Sequence, residues 1–517
     1  MRTSIRLRVK SHFRPLSSPM SKTFRSFFMF LAACVAILHL FNNSDGQDID
    51  VKIKISAGDP AIAEISGSFL SQKPRKNRLN LSFLNEYAGV SGLVNRISNV
   101  ELSDRDGRPV VAKRFNAGEY LADSDFTNWK YRVNLEPLKQ LSAAAHISWI
   151  KGDSGLLMLD DLLPQGNGER ISAKVKIEVP QGWEVFSTEP FIIHGRTVFM
   201  PQDEYTVANV EKASFLIGRN LRGKSIQPNG AYLIFFTSGE WQFNDDEAAN
   251  LAAEIYANYV KMFGPAPNHI SQIAIMKFPV DVAVGNWEAD TRGSSVTIVS
   301  SDMPFWTQSI QRLHEQLRHE IFHLWIPNGV NITGNYDWFY EGFALYESLK
   351  IGVATGRITF DDFLDTLSRA YDIDRMRSQK LSLVEASKNR WNGSNTQVYA
   401  RGMLVAFLCD LSLLEKSKGE RSVGDLLREF YIKYHSTIRA QDGNTAALAL
   451  LRSHAELSTI VERNITGADG VDWNVLLNAA GLDAVNTGQA TKLKVTPRPS
   501  GRQRDLLDKL GYNSWRK

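Results

Sequence analysis

Two histidines lie four residues apart in the stretch LRHEIFHLWIPNG, Leu317 to Gly329, and a glutamate directly follows the first of them. Residues i and i+4 share one face of an α-helix, so His319 and His323 can both direct an imidazole nitrogen at one metal ion. Glu320 projects beside them and suits a general base that takes a proton from water at the metal. The alternative interpretation is a pair of core or surface histidines without a metal.

A third candidate ligand lies in the stretch DWFYEGFALYES. Glu341 follows His323 with 17 residues between them, which is enough for a helix end, a loop and the start of a second helix. Zinc readily accepts two imidazoles and one carboxylate, whereas calcium and magnesium prefer oxygen ligands throughout. Three protein ligands leave a fourth position open, as in catalytic zinc sites. We therefore expect one zinc ion per chain.

A near-copy of the histidine motif begins upstream in QRLHEQLRHE. It fails as a metal motif because Arg318 occupies the place of the second histidine. We therefore interpret His314 as an ordinary surface residue.

The segments that must position these residues change in character along the chain. From residue 47 to 239, alternating runs such as DIDVKIKIS and GAYLIFFTSG are separated by Gly, Pro and Asp, which predicts a β-sandwich-like domain that supports or positions substrate. From residue 240 to 485 a catalytic domain is expected: the helix DEAANLAAEIYANYVKMFG, the strands ISQIAIMKF and SSVTIVSS, a helix from Gln308 to Trp325, and mainly helices after about residue 357. The fold class is thus α+β and multidomain.

Both ends of the chain are basic. Residues 1–46 combine seven Lys and Arg with the apolar run FFMFLAACVAILHLF, which predicts a signal peptide, or an uncleaved N-terminal anchor, and an exported protein. The remainder has 53 Lys and Arg against 55 Asp and Glu, a formal charge of −2, so no nucleic-acid partner is indicated. Residues 486–517 are interpreted as a solvated basic tail. Oligomeric state is left open.

Cysteine content excludes a disulfide framework. The chain has 2 cysteines among its 517 residues, and Cys34 lies inside the predicted signal. The mature chain then keeps Cys409 alone, within the apolar run MLVAFLCDLSLL, so its stability must come from a hydrophobic core.

HEIFHLW followed by WFYEGFALYES resembles the gluzincin zinc metallopeptidases, and more particularly the glycyl aminopeptidase family, whose catalytic domain is thermolysin-like. Two further stretches are similar to that family: VGNWEADTRGSSVTIVS upstream and LSLVEASKNRWNGSNTQVYARGMLVAFLCDLSL downstream. The likeness spans roughly residues 245–482. The second glycine of the upstream motif and the histidine after its glutamate are absent here, which puts substrate preference in doubt more than catalysis.

The resemblance implies roles for four more residues. Tyr399 would donate a hydrogen bond to the developing oxyanion, although it could instead only cap the following helix. Glu288, on an edge strand lining the cleft, would bind the α-amine of the substrate, with Gly285 and Trp287 beside it. A solvent-facing strand carboxylate is the alternative interpretation of Glu288.

These residues together predict a zinc metallopeptidase, an aminopeptidase acting on exported or extracytoplasmic peptides. An endopeptidase of the same fold is one alternative. A catalytically silent peptide-binding scaffold is the other, although silent relatives usually lose a ligand or the base, and both are present. A membrane would be contacted only through the N-terminal apolar segment.

Overall fold

The computed structural model describes residues 48–70, 79–165, 171–189, 191–193, 196–198, 204–268, 270–377, 380–437, 439–488 and 490–513. The predicted signal peptide, 1–46, lies outside these residues. From Asp48 onward the chain forms one unit.

Short strands dominate the first half of this unit, as the alternation in sequence predicts. In the strand Ile49–Ser56, side chains alternate strictly between buried and exposed, because successive residues of a strand face opposite sides of the sheet. The strands are β1 (Ile49–Ser56), β2 (Ile62–Phe69), β3 (Asn80–Ser82), β4 (Glu86–Tyr87), β5 (Val90–Ser91), β6 (Ile97–Ser103), β7 (Pro109–Val110), β8 (Ala112–Asn116), β9 (Glu119–Ala122), β10 (Asn128–Asn134), β11 (Trp149–Lys151), β12 (Ser154–Met158), β13 (Ala173–Glu178), β14 (Glu184–Phe186), β15 (Phe191–Ile193), β16 (Arg196–Val198), β17 (Glu204–Val207) and β18 (Ser214–Gly218).

Seven of these strands form one sheet in the order β17-β13-β1-β2-β10-β6-β7, in which β1 and β13 run parallel and the other pairs are antiparallel. A four-stranded sheet, β11-β12-β18-β14, and a three-stranded sheet, β3-β9-β8, accompany it. One hydrophobic cluster takes side chains from all three sheets, such as Val51, Leu81 and Phe215. The core of the β-rich region therefore lies between sheets.

A separate five-stranded sheet supports the predicted site. Its strands are β19 (Arg222–Ile226), β20 (Tyr232–Thr237), β21 (Ile270–Lys277), β22 (Trp287–Arg292) and β23 (Ser295–Ser300), in the order β19-β20-β21-β23-β22. β20, β21 and β23 are parallel, while β22 is an antiparallel edge strand beside β23. Two strands of this sheet therefore precede residue 240, and the strand that contains Glu288 lies at its edge.

Helices fill the second half, as the sequence predicts. The first long one begins with a capping box between Asn244 and Glu247, which satisfies free backbone N–H groups at the helix start. The α-helices are α1 (Ala143–His146), α2 (Leu159–Leu162), α3 (Asp245–Phe263), α4 (Trp306–Phe322), α5 (Asp337–Ala354), α6 (Phe360–Met376), α7 (Leu383–Lys388), α8 (Asn395–Ser417), α9 (Val423–Tyr434), α10 (Gly443–Arg452), α11 (Ser458–Ile460), α12 (Asn474–Ala479) and α13 (Gly501–Leu510).

The prediction of a solvated tail after residue 485 is wrong. β26 (Leu482–Thr487) pairs with β27 (Ala490–Val495), which follow the short parallel pair β24 (Ile332–Thr333) and β25 (Gln441–Asp442). Leu493 of β27 and Leu507 of α13 join the hydrophobic core of the helical half. The basic residues lie on the solvent side of these elements, and the apolar residues between them face the core. A high content of basic residues therefore does not indicate an unfolded tail here.

Among the described residues, α8 alone is long and apolar enough to cross a membrane. Its apolar window is 94% buried inside the protein, and Cys409 lies within it. α8 packs against α5, α6 and α7. It therefore serves as the central helix of the helical half.

Candidate metal centre and active site

The three predicted metal ligands meet at one point. The Nε2 atom of His319 lies 3.0 Å from Oε2 of Glu341 and 3.2 Å from Nε2 of His323, and His323 Nε2 lies 3.4 Å from the same carboxylate oxygen. All three side chains are buried. Of the described residues, these three form the group that could hold a metal ion.

These separations fit a zinc ion. Ligand atoms bound to zinc at 2.0–2.2 Å in a tetrahedron are about 3.3–3.6 Å apart, close to the spacing found here. Nε2 atoms of two unprotonated imidazoles repel each other at 3.2 Å unless a cation or proton lies between them. The donor set of two imidazoles and one carboxylate belongs to zinc chemistry, so the site fits one zinc ion with one position open.

The end of α4 orients His323. The helix ends at Phe322, earlier than the predicted Trp325, because the backbone N–H groups of the next three residues bond to carbonyls three residues back rather than four. The backbone turn that follows brings the Ile326 carbonyl to 2.9 Å from Nδ1 of His323. Nδ1 then holds the proton, so Nε2 is left with its lone pair toward the metal position. Without metal, burial opposes protonation of His323, but the Glu341 carboxylate raises its pKa to about 9.

A close contact between two helices positions Glu341. It lies in the second turn of α5, whose next residue is Gly342. A Cβ at Gly342 would lie 2.4 Å from the Cα of Gly402 in α8, so only glycine permits this approach. The glycine pair brings the start of α5, with Glu341, against the part of α8 that follows Tyr399.

Glu320 is held by a residue that the sequence did not single out. Thr291, on edge strand β22, donates a hydrogen bond to Glu320 Oε2 at 2.8 Å. The other carboxylate oxygen, Oε1, lies 4.0 Å from His319 Nε2 and so faces the metal position. Burial raises the pKa of Glu320, while the neighbouring histidines and the Thr291 hydrogen bond oppose this. One oxygen is therefore anchored and the other is available to accept a proton.

Arg390 is a second residue that the motifs did not reveal. Its Nη1 lies 2.9 Å from Glu341 Oε1 and 2.7 Å from Asp337 Oδ1, and its Nη2 donates to the Tyr399 hydroxyl at 2.7 Å. Although burial opposes ionisation, Arg390 and then His323 hold the pKa of Glu341 well below its usual range. Arg390 thus holds Oε1 of Glu341, the carboxylate oxygen that does not face the histidines. Its position within NRWNG carries no recognisable spacing to the histidines.

Tyr399 lies in the second turn of α8, with its ring centroid 6.1 Å from that of His319. The side chain lines the cleft, and burial raises its pKa well above the usual value, so the hydroxyl keeps its proton. A role as a helix cap alone does not fit a phenol that interacts with Arg390 and Glu341. The geometry allows the predicted role as a donor.

The cleft beside the metal position has a volume of about 1200 Å³. Trp287 and Glu288 line it, as predicted, but Gly285 is not among its lining residues. Gly285 instead has a positive φ of 88° in the turn before β22, where glycine is favoured. Burial raises the pKa of Glu288 to about 6, and Arg390 partly opposes this. Glu288 is therefore a half-buried cleft carboxylate rather than a solvent-facing one.

Two observations change the sequence-based description of the cleft. His314 is buried, with 2% of its surface exposed, so its interpretation as a surface residue is wrong. It lies three and seven residues before Leu317 and Ile321 on α4, and this spacing places it on the inward face. The β-rich region also reaches the cleft, because Gln140, Ser142 and His146 line one wall.

No family model matches the chain, and no curated protein sequence matches it. Its fold is similar to that of a crystal structure described as an aminopeptidase N family protein from Idiomarina loihiensis, with a TM-score of 0.71 and 15% identity over 84% of this chain and 79% of that one. It is also similar to an M1 zinc metallopeptidase from Deinococcus radiodurans, with a TM-score of 0.53 and 16% identity over 83% of this chain and 94% of that one.

A mutant of the Deinococcus radiodurans enzyme bound to a Tyr-Ser-Ala substrate matches with a TM-score of 0.52 and 15% identity, over 82% of this chain and 94% of that one. At these identities the likeness concerns the fold. The prediction of an α+β multidomain fold, with a β-rich N-terminal region and a helical C-terminal half, is confirmed, and this fold is similar to that of zinc metallopeptidases.

Proposed function

We propose that the protein is a zinc metallopeptidase that removes N-terminal residues from peptides. The observation that carries this proposal is the convergence of Glu341 with His319 and His323 beside the carboxylate of Glu320. The fold shared with zinc metallopeptidases supports it.

Zinc at this site would supply a Lewis acid that polarises the scissile carbonyl and lowers the pKa of water. Glu320 accepts the proton of the attacking water at Oε1, since Oε2 is occupied by Thr291. A pKa raised by burial makes Glu320 a stronger base than an exposed carboxylate. Glu320 then delivers this proton to the leaving amine.

Tyr399 donates a hydrogen bond from its hydroxyl to the oxygen that becomes negative in the transition state. Arg390 Nη2 already donates to the Tyr399 oxygen, which makes the phenol a stronger hydrogen-bond donor and fixes its position. Donors of this kind contribute about 3–4 kcal/mol to transition-state stabilisation.

The aminopeptidase form of the proposal rests on Glu288. A carboxylate at the cleft wall offers an ionic partner to the α-ammonium group of a substrate. Solved structures with this fold include an aminopeptidase N family protein and a metallopeptidase mutant bound to the tripeptide Tyr-Ser-Ala, which supports a peptide substrate with a free N-terminus. The size of the cleft favours an endopeptidase as the second candidate, because several residues fit within it.

The test compares a free peptide with its N-acetylated form, for wild-type protein and for Glu320→Gln. We expect the free peptide to be cleaved faster, and Glu320→Gln to retain zinc while turnover falls by orders of magnitude. Equal cleavage of both peptides supports the endopeptidase. No cleavage of a broad peptide library by zinc-loaded protein supports a silent binding scaffold.

An extracytoplasmic site of action belongs to the same proposal. Its support is the basic and apolar composition of residues 1–46. Cell fractionation and N-terminal sequencing of the exported protein would test it. Protein in the cytosol with Met1 retained contradicts it.

A further inference from the structure

The cleft contains a buried guanidinium without a carboxylate partner. Arg318 is 3% exposed, and its Nε and Nη1 donate to the carbonyl oxygens of His314 at 3.2 Å and Ser348 at 2.8 Å. Within the described part of the chain, no carboxylate forms an ion pair with it. Glu315 attracts this charge without forming an ion pair with it, because its carboxylate pairs with Arg312. The guanidinium can therefore still bind an anionic partner from outside the chain.

The neighbouring helix is shaped around this guanidinium. A Cβ at Gly352 of α5 would lie 1.7 Å from Arg318 Nη1, so glycine leaves the room that the charged group occupies. The side chain lines the cleft as well. The Arg318 side chain thus forms part of the cleft wall.

A buried imidazole beside Arg318 also lacks a partner. His314 Nε2 is buried without a hydrogen bond, and such atoms are rare in folded proteins. Burial first, and then the positive charges of Arg318 and Arg357, lower the pKa of His314 to about 3. The ring is therefore neutral, and in the tautomer with the proton on Nε2 it has an unused hydrogen-bond donor.

Different charged groups surround Glu288 and His314 in the cleft. Glu288 is affected by Arg390 and Glu320, whereas His314 is affected by Arg318 and Arg357. The turn of α4 that contains His314 lies about 7.5 Å along the helix axis from His319. A peptide lying across the metal position can therefore place its amine beside Glu288 and a negative group beside Arg318.

We propose that Arg318, Arg357 and His314 form a subsite for a carboxylate on the leaving-group side of the substrate. Either the C-terminal carboxylate of a short peptide or the side chain of an acidic residue supplies this group. The inference rests on the proposed function, because the leaving-group side is defined by the amine bound at Glu288. The subsite would make short peptides, or peptides with an acidic residue after the scissile bond, the preferred substrates of this chain.

Binding and turnover are measured separately. Zinc-loaded Glu320→Gln binds peptides without cleaving them, so calorimetry can compare Ala-Ala with Ala-Ala amide, and Ala-Glu amide with Ala-Gln amide. The first pair tests the terminal carboxylate and the second tests the acidic side chain. Ion-paired hydrogen bonds predict about tenfold tighter binding for the acid in at least one pair. Wild-type protein is assayed on the same peptides for kcat/KM.

Two substitutions in the subsite and one matched control follow. Arg318→Met and Arg357→Gln, each combined with Glu320→Gln, are expected to reduce the preference to less than about threefold. Glu254→Gln removes the ion pair that Arg357 forms at 2.9 Å but leaves the guanidinium in place, and Glu254 does not line the cleft. That variant should keep the full preference. If Arg318→Met does not fold, Arg357→Gln decides.

The outcomes separate the two proposals. Equal binding of acid and amide in both pairs, or a preference that persists in both arginine variants, overturns the subsite. Absence of cleavage by wild-type protein, together with a preserved binding preference, overturns the peptidase and leaves the subsite standing. A preference lost in both arginine variants and kept in Glu254→Gln supports it.

Discussion

The hydrogen bond from Thr291 to Glu320 should set the pH at which the catalytic base gains its proton. Thr291→Val keeps the shape of the side chain and removes the hydroxyl that lies 2.8 Å from Oε2. A hydrogen bond to a charged group contributes about 1.5 kcal/mol at the low end, which corresponds to about one pKa unit. The bond favours the ionised carboxylate, so its loss raises the pKa of Glu320.

The expected result is that the acidic limb of the kcat profile moves upward by about one pH unit. At pH values below the midpoint of this limb, kcat should be about tenfold lower than in wild type, because less of the base is ionised. Zinc content should stay the same, since Thr291 does not contact a metal ligand. Steady-state kinetics between pH 5 and 9, with a metal assay at each pH, measure both quantities.

Thr291→Ser is the matched control, because it keeps the hydroxyl and should keep the wild-type profile. A Thr291→Val enzyme with an unchanged limb and unchanged kcat would refute this reasoning. The reasoning also fails if Thr291→Val and Thr291→Ser shift the limb equally, since the hydroxyl would then have no part in it.

Three further predictions concern charges. Arg390→Lys keeps the positive charge, but a single ammonium group cannot replace the two guanidinium nitrogens that contact Glu341 and Tyr399. Zinc affinity, measured by chelator competition, should therefore fall about tenfold. Burial raises the pKa of Glu288 to about 6, so below pH 6 its protonation should lower kcat/KM for peptides with a free amine more than for acetylated ones. Burial raises the pKa of Glu347 from 4.5 to about 7, so the folded state binds its proton more tightly. As the pH rises from 4.5 to about 7, the free energy of unfolding should therefore fall by up to about 1.4 kcal/mol per pH unit. The fall should be smaller in Glu347→Gln.

Each of these predictions has a contrary outcome. An Arg390→Lys protein with wild-type zinc affinity would show that the two guanidinium contacts are not needed to position Glu341. Parallel pH profiles for free and acetylated peptides would remove Glu288 from amine binding. If denaturant titrations give equal pH slopes for wild-type protein and Glu347→Gln, the buried carboxylate does not titrate as stated.

The metal ligands could be predicted from sequence because their geometry is local. A spacing of four residues fixes two histidines on one helix face, and one carboxylate from the next helix completes the set. The strands before residue 240 and the helices after it also follow from short-range periodicity, which the structure reproduces in the alternating burial of β1.

The supporting residues could not be predicted because they meet the site through tertiary contacts. Thr291 reaches Glu320 across the sheet edge, and Arg390 reaches Glu341 from a segment 49 residues further along the chain. Neither has a spacing that marks it. The burial of His314 is predictable from sequence, since its spacing to Leu317 and Ile321 is that of a buried helix face.

The central claim is that His319, His323 and Glu341 hold one zinc ion. Diffraction data collected on either side of the zinc absorption edge, from crystals of protein purified without chelator, test it most directly. We expect one anomalous peak with Nε2 of both histidines and a carboxylate oxygen of Glu341 at about 2.0–2.2 Å. A peak that lies away from these three atoms, or crystals of zinc-supplemented protein with no peak at all, would contradict the claim.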